Sequence, residues 1–193
     1  MSMSNSLRVG AALLWLMMAG AEAVNLAGVE IAPMIRVEGQ ERPWSLLGSA
    51  QVHRSFIPFY GLALHGPADS VNRGELSDGL SALQITLVWY ASELPKAQVE
   101  EHFRKLFEQN ADEQALKGMA SRLDKFLALL PAAARGQRIT FTYTPDGGTH
   151  VSVENGGEGH FAGIDFNRAF LSLWLGPNAD PDVRQGLIAA TTR

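Results

Sequence analysis

One stretch limits the choice of fold more than any other: RITFTYTPDGGTHVSVE, from Arg138 to Glu154. In its first half Ile139, Phe141 and Tyr143 alternate with Arg138, Thr140, Thr142 and Thr144. That is the two-residue period of a strand with one apolar and one polar face. Pro145-Asp146-Gly147-Gly148 then reverses the chain, because proline presets φ and glycine accepts positive φ. THVSVE returns as a second strand, and Asn155-Gly156-Gly157 turns it into HFAGI. An antiparallel ribbon with one apolar face needs a covering layer.

The rest of the chain supplies that layer. LQITLVWYA (Leu83 to Ala91) reads as a strand, after which the period changes. Pro95 opens a helix with Val99, Phe103, Leu106 and Phe107 on one face as far as Asn110. A second helix carries Leu116, Met119, Leu123, Phe126 and Leu130 on one stripe and stops at Pro131. Asp165 is expected to cap a third helix lined by Phe166, Ala169, Phe170, Leu173 and Trp174, closed by Gly176-Pro177, and Asp180 a short last one through Leu187. Before the ribbon, VEIAPMIRVEG reads as an edge strand interrupted by Pro33, and WSLL as a short extended piece between Pro43 and Gly48. His53 to Leu64 reads as one longer strand, apolar on both faces, and HGPADSVNRGELSDG as a polar, turn-rich connection. The layout is α+β: an antiparallel sheet covered by helices, with no internal repeat.

Composition narrows the function classes. The chain has 193 residues and no Cys, which removes disulfides, thiol catalysis and Cys-ligated metals. A net charge of −4 without a Lys/Arg cluster argues against nucleic acid or an anionic membrane as partner. MSMSNSLRVGAALLWLMMAGAEA has the layout of a secretory signal: Arg8, an apolar run from Val9 to Gly20, then Ala21-Glu22-Ala23. Residues 1–23 are therefore expected to be a signal peptide and residues 24–193 a single exported domain, periplasmic or secreted. No apolar run beyond that segment is long enough to span a bilayer.

Few residues carry chemistry. The five His residues form no i, i+4 pair and no H-x-H pair, so neither a metal nor a cofactor is expected. His102, among Glu100, Glu101 and Arg104, reads as solvated. With the hairpin turning over 155–158, His160 is expected opposite Val153, which puts His150 and His160 on opposite faces. No G-x-S-x-G elbow is present, and Ser172 falls inside a helix pattern. The glycine pairs sit in turns and open no helix, so they are not phosphate cradles. Arg54 and Tyr60 remain. They share parity, but six residues of strand separate them by roughly 20 Å. They would hold opposite ends of an elongated ligand, Arg54 gripping a carboxylate and Tyr60 adding a hydrogen bond. The plain alternative is an Arg54 that snorkels at the sheet edge and a Tyr60 satisfied at the core rim.

Two segments together resemble the chalcone isomerase family. LLGSAQVHRSFIPFYGLALHG is similar to the segment in which a glycine-containing turn with an Arg leads into a strand ending in Tyr. GQRITFTYTPDGGTHVSVENGGEGHFAGIDFNRAFLSLWLG is similar to the C-terminal half of the bacterial chalcone isomerase-like proteins. The resemblance runs from about Val29 to Leu187. It implies an open-faced β-sandwich, with a large antiparallel sheet, helices packed on one face and a ligand cleft between them. In the plant enzymes of the family an Arg holds a phenolate, while a Thr and a Tyr steady an enolate through water. Other members bind fatty acids with an Arg and a Tyr. Aligned without a gap, the family Arg falls on His53, with Arg54 one step later. The catalytic Thr position falls on Tyr60, which suits the fatty-acid-binding members. Leu173 stands where the enzymes place a polar residue, with Ser172 beside it. The resemblance thus implies ligand contacts from Arg54, His53, Tyr60 and Ser172 to a small amphipathic or fatty-acid-like carboxylate. Two other readings stand beside it: an intramolecular lyase acting on an enolisable substrate, and an interaction module whose cleft is filled by its own side chains.

Overall fold

In the computed structural model of the chain, residues 23–67, 76 and 78–188 are described. The expected signal peptide lies outside them except for Ala23, as does most of the connection that follows His65. The elements in order are β1 (Val24–Leu26), β2 (Val29–Ile31), β3 (Met34–Ile35), β4 (Trp44–Arg54), β5 (Ile57–Gly66), β6 (Leu83–Trp89) and β7 (Glu93–Leu94), then the helices α1 (Lys96–Asn110) and α2 (Glu113–Leu129). There follow β8 (Ala133–Ala134), β9 (Arg138–Thr144), β10 (Gly148–Val153), β11 (Glu158–Phe161), α3 (Ile164–Leu175) and α4 (Pro181–Ile188).

Seven strands in the order β11-β10-β9-β6-β5-β4-β3 form one sheet whose neighbours are all antiparallel. β6 and β9 are sheet neighbours although α1 and α2 lie between them in sequence. The helical hairpin therefore leaves the sheet and returns to the same place, and the short pair β7–β8 clips its two ends together. Asp112 caps α2 by accepting a hydrogen bond from the Ala115 N–H at 2.8 Å, and Asp180 caps α4 through the N–H of Asp182.

Strand alternation decides where the core lies. Leu62 and Leu64 of β5, Ile85 and Leu87 of β6, and Ile139 and Phe141 of β9 all face the helices and are buried. Against them pack Phe103 and Phe107 of α1, Phe126 of α2, and Phe166, Phe170 and Trp174 of α3. The rings meet edge-on or tilted, as for Phe126 with Phe170 at 5.9 Å and Phe141 with Phe170 at 4.5 Å. On the other face a smaller cluster of Leu26, Ile31, Leu46, Ala63 and Val88 lies beneath the hairpin of β1 and β2. The architecture is the expected α+β open-faced sandwich.

Local expectations changed in four places. WSLL is the start of β4, which continues through Gly48 with a register irregularity between Leu46 and Gly48. Gly48 reads as a stop because it lacks a side chain, yet it serves close approach. A Cβ there would lie 2.2 Å from the Leu187 carbonyl oxygen, so only glycine lets α4 cross the strand. His53 to Leu64 is not one strand but two, β4 and β5, joined by Ser55 and Phe56. Gly163, not Asp165, precedes α3; Asp165 sits in its first turn and is held by Arg122 of α2. Finally, His150 pairs directly with His160 across β10 and β11, so the two share a face. The partner of His160 lies three residues from the expected Val153, and an odd shift of register moves a side chain to the other face.

Candidate functional site

The β4–β5 hairpin brings the candidate residues together. Ser55 and Phe56 both have positive φ, at 50° and 68°, the handedness that lets a two-residue turn follow strand twist. Folding back here makes Val52 the cross-strand neighbour of Tyr60 and places the Arg54 guanidinium 5.7 Å from the Phe59 ring centroid. The extended-strand separation expected for Arg54 and Tyr60 therefore does not hold. A register irregularity falls between Val52 and His53. Such a bulge re-aims side chains, and His53 and Arg54, consecutive in the strand, both line the same hollow.

That outer hollow, of about 340 Å³, is walled by Val52, His53, Arg54 and Phe59 on the hairpin and by Gln98, Glu101, His102 and Lys105 on α1. Glu101 is held by Lys105 at 2.6 Å. Arg54 makes no ion pair among the described residues. An inner hollow of about 210 Å³ lies beside it, lined by Tyr60, Leu106, Leu173, Trp174 and Val183 and by the polar Gln109, Asn110, Asn178 and Asp180. Val52 and His102 line both. A broad depression of about 1150 Å³ along the first turns of α2 is walled by that segment alone, so no groups converge on it.

Between the hollows stands a small hydrogen-bonded cluster. Tyr60 is buried, 1% exposed, and its hydroxyl accepts from the Trp174 indole N–H at 3.0 Å. His102 Nε2 lies 3.4 Å from the same oxygen. Burial, with a smaller contribution from the charge of Arg54, pushes the His102 imidazole down to about 4. The ring is neutral near pH 7, and in its Nδ1-protonated tautomer Nε2 can accept from the Tyr60 hydroxyl, whose oxygen already accepts from Trp174. Burial also raises the Tyr60 phenol well above its ordinary range, so it stays protonated. Phe59 and Tyr60 flank the imidazole edge-on at 5.0 and 5.6 Å.

Of the residues singled out in the sequence, Arg54 and His53 stand at the outer hollow and Tyr60 at the floor of the inner one. Ser172 is apart from both: its hydroxyl donates to the Ala169 carbonyl at 2.7 Å within its own helix. His102 is the correction. Its charged neighbours made it read as solvated, but it follows Val99 by three residues and precedes Leu106 by four, which places it on the flank of the buried stripe. Trp174 read only as core, and nothing in the sequence marks its N–H as the partner of Tyr60.

Known proteins place this architecture. The chain matches the family model described as chalcone isomerase-like over residues 23–189. No curated protein matches it significantly. Its fold is similar to the crystal structure of a fatty-acid binding protein of Arabidopsis thaliana, with a TM-score of 0.66 and 17% sequence identity, covering 86% of this chain and 96% of that one. Sheet order, helix placement and the family match agree: the chain belongs to the chalcone isomerase-like family.

Proposed function

We propose that this protein binds a small amphipathic carboxylate, its head at Arg54 and His53 and its tail past His102 into the inner hollow. The observation that carries the reading is Arg54, a cation without an ion-pair partner among the described residues, held over Phe59 at the mouth of a recess. A guanidinium in that position offers two parallel N–H donors to a carboxylate. The inner hollow adds the apolar surfaces of Leu106, Leu173, Trp174 and Val183. Together the two hollows fall within the usual size of small-molecule sites. The similar fold of a fatty-acid binding protein supports the ligand class. Tyr60 acts here mainly through His102 and Trp174, and contacts the ligand itself only where the 3.4 Å contact with His102 opens. Ser172 supports α3 and does not touch the ligand.

The same reading makes the protein an exported one, supported by the leader-like composition of residues 1–23 and by a family match that begins at residue 23. A mature N-terminus at Val24, found by mass spectrometry of protein from the cell envelope, is the expected result. For the ligand, native mass spectrometry of purified protein is expected to show a bound carboxylate, or uptake of added decanoic acid, with markedly less of either in Arg54→Ala. Wild-type protein that holds none and takes up none would remove the proposal.

A further inference from the structure

The tip of the β4–β5 hairpin carries apolar surface that the fold does not use. Phe56 and Ile57, consecutive there, are the two most exposed large apolar side chains among the described residues, at 99% and 69%. Single exposed apolar residues are ordinary, but an adjacent pair on a projecting turn is a patch. The turn itself is strained. Ser55 and Phe56 both have positive φ, a region that a bulky side chain enters only at a cost. Asn or Gly would make the same turn without that cost. Burial within the chain does not offset it, because the Phe56 ring lies wholly in solvent.

Position and charge indicate what meets the tip. Ile57 is the cross-strand partner of Arg54, and Pro58 that of His53, so the tip stands directly beyond the mouth of the outer hollow. The charged walls of that hollow are Arg54, Lys105 and Glu101. Glu101 pairs with Lys105 and also lies in the field of Arg54. Two cations against one carboxylate leave a net positive charge beside two apolar side chains. That is the composition of an interfacial anchor, in which apolar groups enter the acyl boundary and a guanidinium stays among the phosphates. The net charge of −4 gives the whole chain no attraction to an anionic surface, so apolar burial has to supply the contact. A second copy is the weaker occupant. Two such tips packed together would bury roughly 600–800 Å², short of the ~1,200 Å² at which stable interfaces begin.

We infer that the β4–β5 tip docks the protein on a phospholipid bilayer, Phe56 and Ile57 entering its surface and Arg54 standing at the level of the headgroup phosphates. Docked in this way, the outer hollow opens onto the bilayer, and an amphipathic carboxylate reaches it without crossing water. That last step rests on the carboxylate-binding reading above; the docking itself does not.

The chain has no Cys, so Ser55→Cys places one environment-sensitive dye at the tip of the mature protein and leaves Phe56 and Ile57 intact. Lys117→Cys, exposed on α2, is the remote control. With vesicles of phosphatidylcholine free of fatty acid, the tip dye is expected to brighten saturably and the remote dye to stay unchanged. Adding Phe56→Asn should raise the lipid concentration at half-saturation about tenfold, and added salt should change it little. Phe56 lines neither hollow, so Phe56→Asn should take up decanoic acid in lipid-free buffer as wild type does, which also shows it folded. No response of the tip dye to the vesicles would overturn the inference, and decanoic acid uptake would then still stand for the ligand reading alone. An equal lipid requirement with and without Phe56→Asn would overturn it too, as would a response that needs phosphatidylglycerol and vanishes in salt. Self-association of lipid-free protein in sedimentation equilibrium, abolished by Phe56→Asn, would give the tip to a second copy instead.

Discussion

The two faces of the seven-stranded sheet are made by alternate residues of the same strands and have opposite characters. Under the helices, Ile85, Leu87, Ile139 and Phe141 pack into an apolar layer, and polarity enters at its ends, where Tyr60, His102 and Trp174 share a hydrogen-bonded oxygen and where Thr149 meets the buried Asn167 of α3. On the other face Thr86, Thr140, Thr142 and Ser152 form a polar surface, roofed at one corner by β1 and β2. Packing energy is concentrated on the first face, while hydrogen-bonding capacity is spread over the second. A ligand that gains from burying an apolar tail belongs on the first.

Truncation breaks this contrast most directly. Phe126, which touches rings from α1, α3 and the sheet, should cost about 3–5 kcal/mol on replacement by Ala, whereas Thr142→Ala on the open face should stay within about 0.5 kcal/mol. Urea denaturation midpoints compare the two.

Acid should sharpen the contrast next. The folded pKa of His102 is depressed to about 4 from the ordinary 6.5, so as pH falls below 6.5 the unfolded chain takes up the proton first. Stability is therefore lost between pH 6.5 and 4, by up to roughly 3 kcal/mol from this group. His65 is depressed by burial too and adds in the same direction. Wild type and His102→Gln, followed by denaturation across that range, should differ in slope, with the variant flatter.

Tyr60→Phe comes third. It removes the acceptor of the buried Trp174 N–H and the hydroxyl that meets His102 Nε2, so it should destabilise the fold by about 1–3 kcal/mol in thermal unfolding. The smallest effect is a gain. Phe56 is 99% exposed and sits at φ 68°, a turn position that favours Asn or Gly. Phe56→Asn should raise stability by a few tenths to 1 kcal/mol in the same measurement.

The sequence carried the layered architecture well, because alternation in Arg138–Thr144 and the helical stripes of Val99–Phe107 and Met119–Phe126 are direct images of burial. It carried the β4–β5 turn poorly. Ser55-Phe56 lacks Gly, Asn or Pro, so tertiary pairing overrides the local signal. That miss hid the proximity of Arg54 and Val52 to the pocket elements. His102 was obscured because charged neighbours outweighed its place beside the apolar stripe. Trp174 illustrates a different gap: its indole N–H finds Tyr60 across 114 residues, a pairing set by how α3 lies on the sheet.

The measurement closest to the central claim is intrinsic tryptophan fluorescence during titration with saturated fatty acids of increasing chain length, since Trp174 lines the inner hollow. The account predicts saturable binding that strengthens by up to about 0.8 kcal/mol per methylene, then levels off once the hollow is filled, with all chain lengths weakened in Arg54→Ala. Binding that is absent, or that rises with chain length equally in wild type and Arg54→Ala, would contradict it.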